Sequence, residues 1–401
     1  VKRVIMVGAF VLSVVLAGSA HARDKTAVER GQYLATVGNC AGCHTAPGGK
    51  PMAGGLHLTS PYGTFITPNI TPDKTTGIGD WSDDDFWQAM HSGERPDGSA
   101  MYPACPYTSY THVERDDIDA IHAYLSQVPG VEKRQPDHRL DWPYGYRSLL
   151  GLWQWRYFEP GALAAKPQQS ETWNRGRYLV EGLGHCNECH RARGRFGTTL
   201  ANDDAPGAMI HGWYAPPLAD PAQAGLQQWS IADAAAFLKS GKAEHAAMMG
   251  PMADVVFDSL QHLSDDDALA MATYLKSIPS ADVASPLRLI RLTEDGRRDA
   301  MAQGRTLYGK HCADCHGDDG TGSTGAPALA GNRAVTMVDP VNVAHMIREG
   351  GFAPATRGNP QPYGMPPFHD LSDRELAALI TYIRGSWGND APPVTGTNLR
   401  R

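Results

Sequence analysis

Cys40-Ala41-Gly42-Cys43-His44 returns as Cys186-Asn187-Glu188-Cys189-His190 and again as Cys312-Ala313-Asp314-Cys315-His316. C-x-x-C-H is the pattern of covalent haem attachment. Two thiols one helical turn apart reach the two vinyl groups of a porphyrin, and the next residue, His, is placed to bind the iron. With 7 Cys and 16 His in 401 residues, composition alone would produce about 0.005 such matches per chain. A zinc site would need four N or S ligands from paired motifs, whereas each unit here offers three and the units lie far apart. A thioredoxin-like redox pair belongs on a βαβ pattern, and none is legible. The expected cofactors are therefore three covalently bound haem c groups. Cys40, Cys43, Cys186, Cys189, Cys312 and Cys315 form the thioethers, and His44, His190 and His316 ligate the iron on the proximal side.

Outward from the motifs, the N-terminus reads as an export signal. Lys2 and Arg3 precede an apolar run from Val4 to Ala17, and Ala20-His21-Ala22 offers a small-residue cleavage site. Leu16-Ala17-Gly18 is followed by Ser19 where a lipoprotein box would need Cys. Removal of residues 1–22 deletes Lys2 and Arg3 and no acid, so the formal charge of −7 becomes −9. An acidic surface does not suit nucleic acid. Export and covalent haem together point to the periplasm, at the outer face of the cytoplasmic membrane. No later stretch has the ~20 apolar residues of a membrane span. The run from Tyr144 to Phe158, with aromatics interleaved with Arg147 and Arg156, suits either a membrane or partner contact or packing between two haem domains.

The motifs stand inside a repeated frame. Glu29-Arg30-Gly31-Gln32-Tyr33-Leu34, Asn174-Arg175-Gly176-Arg177-Tyr178-Leu179 and Ala302-Gln303-Gly304-Arg305-Thr306-Leu307 each precede a motif and carry helical apolar spacing. Amphipathic helices are expected again over 116–128, 264–278 and 372–387, with Ser264-x-x-Asp267 and Ser372-x-x-Glu375 as N-caps. Shorter helices are expected after Ser82 and over Ile231–Ser240. Few segments alternate with period two. The predicted fold class is all-α: three tandem cytochrome c-like haem domains at 23–135, 171–283 and 301–390. Residues 1–22 are the signal, 136–170 and 284–300 the linkers, and 391–401 a flexible tail.

A sixth iron ligand is expected from the loop before each closing helix. In the third unit Met365 of Tyr363-Gly364-Met365-Pro366 fits best, with Met337 and Met346 as competitors, and in the second Met252 of Gly250-Pro251-Met252, with Met248 and Met249 as competitors. In the first, Met101-Tyr102-Pro103-Ala104-Cys105-Pro106 offers two candidates. Cys105-Pro106 corresponds to Met365-Pro366 and favours Cys105, with Met101 as the competitor. A thiolate ligand would lower the potential relative to Met.

Further runs are more specific than the attachment motif. Thr67-Pro68-Asn69-Ile70-Thr71-Pro72-Asp73, Gly77-Ile78-Gly79-Asp80-Trp81-Ser82, Tyr102-Pro103-Ala104 with Pro106-Tyr107-Thr108-Ser109-Tyr110, and Gly250-Pro251-Met252-Ala253 make the chain resemble one particular group. This group is the three-haem cytochrome c subunits of membrane-associated bacterial dehydrogenases of alcohols, gluconate, fructose, sorbitol or aldehydes. The resemblance covers essentially the whole chain after residue 22. It implies a partner catalytic subunit holding flavin, pyrroloquinoline quinone or a molybdenum cofactor. It further implies electron delivery to ubiquinone or a terminal oxidase, and peripheral membrane association. The family pattern has Met where this chain has Cys105, and many relatives carry a C-terminal amphipathic segment that is not legible after Trp387.

The functional expectation is an electron-transfer subunit without a substrate-oxidising site of its own. No Ser-His-Asp arrangement, phosphate loop or dinucleotide fingerprint points elsewhere, and the runs Asp83–Asp85 and Asp265–Asp267 read as helix starts. The alternative is a haem enzyme in which a His/Cys-ligated first haem works on a small sulfur compound. A haem peroxidase with one open iron is a third reading.

Overall fold

The computed structural model describes residues 25–200, 205–281, 292–323 and 325–399. The expected signal at 1–22 and the start of the expected linker at 284–300 lie outside the described residues. What is described is about 43% helical with few strands.

Each repeat is built on one crossing of two helices. The opening helices run over 25–37, Glu171–Arg177 and Glu294–His311. The closing helices are Arg115–Leu125, Asp265–Ser277 and Asp373–Arg384. At the crossings Gly31, Gly176 and Gly304 lie against the carbonyl oxygens of Ala120, Ala270 and Ala378, and an added Cβ would overlap those atoms. Glycine ahead of each motif is thus a close-approach residue, because only a hydrogen lets the two backbones meet. Tyr124, Tyr274 and Tyr382 pack on the same three glycines. Ion pairs tie two of the crossings: Arg30 to Asp117, and Arg175 to both oxygens of Asp267 at 2.8 and 2.9 Å.

The helix starts follow the expected chemistry. Ser264 accepts the Asp267 N–H at 3.1 Å, and Ser372 with Glu375 closes a reciprocal capping box. Ser82 and Asp85 form another such box ahead of Asp83–Ser92, and Ile231–Ser240 is helical with Ser230 as its cap. The second opening helix widens into a π-helical turn, Tyr178–Leu183, before its motif.

Three features were not foreseen. The chain is mainly helical, and it also contains four small sheets among the described residues. Two of their hairpins, His57–Ser60 with Gly63–Ile66 and Ala208–Ile210 with Trp213–Ala215, hold residues of the sites described below. Their strands are three or four residues long, too short for alternation to be read from sequence. Second, the chain divides after Leu163 into two compact units, and the second contains both the second and third repeats. Third, residues 391–399 are not frayed. Val394 and Leu399 are buried in the third repeat's core with Leu376, Leu379 and Ile380, and the Val394 N–H donates to Thr381 Oγ1 at 3.0 Å. The wholly buried Arg384 donates to the carbonyls of Val335 and Met337 at 2.7 Å each, and burial pushes its pKa down to about 10. The tail's polar composition hides two apolar anchors.

In the first unit, residues 138–163 fold onto the first repeat. Arg139–Leu140 adds a third strand beside Gly63–Ile66. The helix Leu150–Tyr157 faces inward with Gln154, whose amide donates to the Gly93 carbonyl at 3.1 Å. Phe158 meets the Tyr107 ring edge-on at 5.0 Å. Its outer side leaves Trp155 80% exposed.

Candidate haem-attachment sites

All three motifs lie on one-turn helices: Cys40–His44, Asn187–His190 and Ala313–His316, the last two preceded by Cys186 and Cys312 as N-caps. The N–H groups of His190 and His316 donate to the carbonyls of Cys186 and Cys312 at 3.0 and 2.9 Å. One helical turn therefore carries both thiols and the imidazole of each motif. No disulfide joins any of the seven cysteines. Burial, with the neighbouring thiol adding to it, pushes Cys40 and Cys186 up to about 12 and Cys312 to about 11. Reactive redox thiols need the opposite shift.

The histidines share one geometry. His44 Nδ1 is 2.8 Å from the Pro68 carbonyl oxygen, His190 Nδ1 is 2.6 Å from that of Pro216, and His316 Nδ1 is 2.9 Å from that of Pro327. A carbonyl can only accept, so each Nδ1 carries the hydrogen and each Nε2 is left with its lone pair. Burial holds all three imidazoles below their ordinary pKa, partly offset by the proline carbonyl. A neutral ring with Nδ1–H engaged and Nε2 available is what iron ligation requires. The residues present fit haem c at all three places.

The prolines are held in three different ways. Pro68 follows the strand Gly63–Ile66, whose outer edge is closed within the first unit. The Ile66 N–H donates to His138 Nδ1 at 3.1 Å, while Gly63 and Thr64 pair with Leu140 and Arg139. Pro216 follows the strand Trp213–Ala215, whose outer edge is closed by the third repeat. The Tyr214 N–H donates to Asn342 Oδ1 and Asn342 Nδ2 donates to the Tyr214 carbonyl, each at 2.8 Å. Pro327 lies in a loop outside any strand.

The expected sixth ligands are placed as follows. Met365 lies on the short strand Gly364–Met365, paired with Gly351–Phe352, and packs against the core cluster that contains Cys312. Met252 is the second residue of the helix Pro251–Asp258. The preceding Gly250, at φ 54°, is pressed against the Trp213 ring where an added Cβ would clash. Met101 and Cys105 both stand half-buried in one loop. The Met101 N–H donates to the Gly93 carbonyl at 2.7 Å and the Cys105 N–H to that of Tyr102 at 3.1 Å. Arg147 backs this loop, 4.7 Å over the Tyr102 ring with a 2.8 Å bond to the Ala100 carbonyl. Sequence reasoning did not reach the three proline carbonyls, His138 or Asn342. A proline some way after each motif was the available signal, and nothing local marks it as an acceptor.

Known proteins resemble the chain over most of its length. The family described as Cytochrome c matches residues 28–129, 174–279 and 301–387, one segment per motif. The chain is 40% identical to the cytochrome c subunit of the quinone alcohol dehydrogenase of Gluconobacter oxydans, over 94% of this chain and 82% of that protein. It is also 40% identical to the gluconate 2-dehydrogenase cytochrome c subunit of Pantoea cypripedii, over 91% and 86%. With the fructose dehydrogenase cytochrome subunit of Gluconobacter japonicus it shares 33% identity over 96% and 83%.

Proposed function

The chain belongs to the cytochrome c family, and from that premise we propose that it is a periplasmic triple-haem electron-transfer subunit. In this reading three tandem haem domains take electrons from a dehydrogenase catalytic subunit and deliver them to membrane ubiquinone or a terminal oxidase. The observation that carries the reading is the threefold set of thiol pair, adjacent imidazole and proline carbonyl.

Haem c, when bound, supplies a reversible one-electron iron couple. Cys40 with Cys43, Cys186 with Cys189 and Cys312 with Cys315 would hold it covalently. His44, His190 and His316 would ligate the iron through Nε2. Met365, Met252 and Cys105, with Met101 competing at the first site, are the proposed sixth ligands. Each Nδ1–H bond to a proline carbonyl orients its ring and raises its basicity, a lever on potential. Membrane association draws support from the outer side of residues 142–158. Trp142 and Trp155 are about four-fifths exposed there, with Tyr146, Leu149 and Leu152 beside them. That stretch carries Arg147 and Arg156 and no acid. No described helix is long and apolar enough to cross a membrane.

The test is made on the purified holoprotein. Alkaline pyridine spectra should give three haems per chain, and the protein should be reduced by the substrate-charged catalytic subunit and reoxidised by a ubiquinone analogue. Fewer haems, or turnover of thiosulfate or peroxide by the chain alone, would overturn the relay reading.

A further inference from the structure

The second and third repeats meet through polar contacts, most of them at residues 211–229 and one at the His245 carbonyl, which accepts the Arg333 N–H at 3.1 Å. Arg333 donates to the carbonyls of Pro221 and Gly225 and lies 5.6 Å over the Trp229 ring. His345 Nε2 is 3.0 Å from the Gly212 carbonyl, and its ring stacks on Trp213 at 5.0 Å. The deepest contact is Asn342, 6% exposed, which bonds both the N–H and the C=O of buried Tyr214.

That double bond is the pairing a neighbouring strand would make. Trp213–Ala215 is bonded on one edge to Ala208–Ile210, and Tyr214 turns its own amide toward the other edge. A single side chain from the third repeat substitutes there for a missing strand. Asp339 in turn accepts the Val341 N–H at 2.9 Å, where the helix Val341–Glu349 that bears Asn342 begins. Two residues beyond Tyr214 stands Pro216, whose carbonyl takes the His190 Nδ1–H at 2.6 Å, the shortest of the three such bonds.

We infer that Asn342 is a positioning residue for His190: by clamping Tyr214 it sets the Pro216 carbonyl against the imidazole, so the third repeat tunes the iron ligand of the second. The inference rests on His190 holding a haem iron, and it goes further by assigning control of that site to another repeat. A clamped carbonyl strengthens the Nδ1–H bond, raises the ring's basicity and favours the oxidised iron. Release of the clamp weakens the bond and raises the potential.

The experiment is a potentiometric titration of the full-length holoprotein, followed by optical and electron paramagnetic resonance spectra. The second haem's wave is identified as the one displaced in His190→Gly. In Asn342→Leu that wave should move to higher potential while the other two stay in place. Asn342→Asp, which keeps the acceptor and loses the donor, should move it less and serves if the leucine variant fails to fold. Arg333→Ala breaks the contacts at Pro221 and Gly225 but leaves both Tyr214 bonds, so it should lower the melting temperature and leave the wave unmoved. An unmoved wave in both Asn342 variants overturns the inference, as does an equal movement of all three waves or an equal movement in Arg333→Ala. If His190→Gly displaces no wave, the haem assignment itself falls and the inference with it.

Discussion

The strands that lead to Pro68 and Pro216 in the first and second repeats perform one task with different support. Both place a proline carbonyl on the Nδ1 of a half-buried histidine, at 2.8 and 2.6 Å. In the first, the outer strand edge is closed by His138 and the strand Arg139–Leu140 of the same unit. In the second, it is closed by Asn342, 128 residues away. The histidine–carbonyl bond is thus a property of each repeat, whereas the buttress behind it comes from whichever part of the chain reaches that edge. An edge strand must find some partner for its amides.

The largest test of this contrast lies at the helix crossings of the same two repeats. Gly31→Val and Gly176→Val would each drive a side chain into a carbonyl oxygen and cost roughly 3 kcal/mol or more. Gly31→Val should remove the first haem alone. Gly176→Val should disturb the second and third together, because those repeats share one compact unit. Haem stoichiometry and calorimetry separate the two outcomes, and equal loss of one haem in each would break the contrast.

A smaller effect is expected at the first buttress. His138→Phe leaves the Ile66 N–H without its acceptor at a cost of about 1–2 kcal/mol. Only the transition of the first unit should shift in a thermal scan, with the first haem's wave moving and the other two remaining.

Helix caps provide the control. Ser264→Ala and Ser372→Ala each remove an N-cap bond worth about 1 kcal/mol, yet neither touches the strands that lead to Pro68 and Pro216. Melting temperatures should fall while all three potentials stay. A moved potential would mean that any loss of stability shifts the haems, and the comparison of buttresses would lose its force.

The subtlest difference is one of pH. His138 accepts through Nδ1 and must be neutral there. Burial holds its pKa below the ordinary 6.5, Arg147 and Arg95 depress it further, and Asp137 opposes them. A depressed histidine adds stability that is complete above pH 6.5 and is lost as pH falls through the lower native value. Acidification below pH 6.5 should therefore loosen the first strand edge before the second, whose Asn342 does not titrate. Hydrogen exchange at the Ile66 and Tyr214 amides reads the two edges directly, and equal responses would remove the distinction.

Much of this architecture was legible beforehand because it is local. The attachment motifs place thiols and imidazole on one helical turn, the caps at Ser82, Ser264 and Ser372 act over three residues, and Ile231–Ser240 is helical where its apolar spacing indicated. The two-unit division, the packed end at Val394 and Leu399, and the acceptors Pro68, Pro216 and Pro327 were not legible. A backbone carbonyl carries no residue signature, and strands of three or four residues leave no period to read.

Sequence alone determined the chemistry to which this chain is suited: three C-x-x-C-H turns, each behind a glycine that lets two helices cross. Spacing within one or two helical turns encodes such features, and they survive without knowledge of distant partners. Only the tertiary structure decided which proton each histidine keeps, which strand edge Asn342 and His138 close, and that the second and third repeats stand as one unit. Those outcomes depend on pairs of groups far apart in the chain, and their positions relative to one another exist only once the backbone has folded.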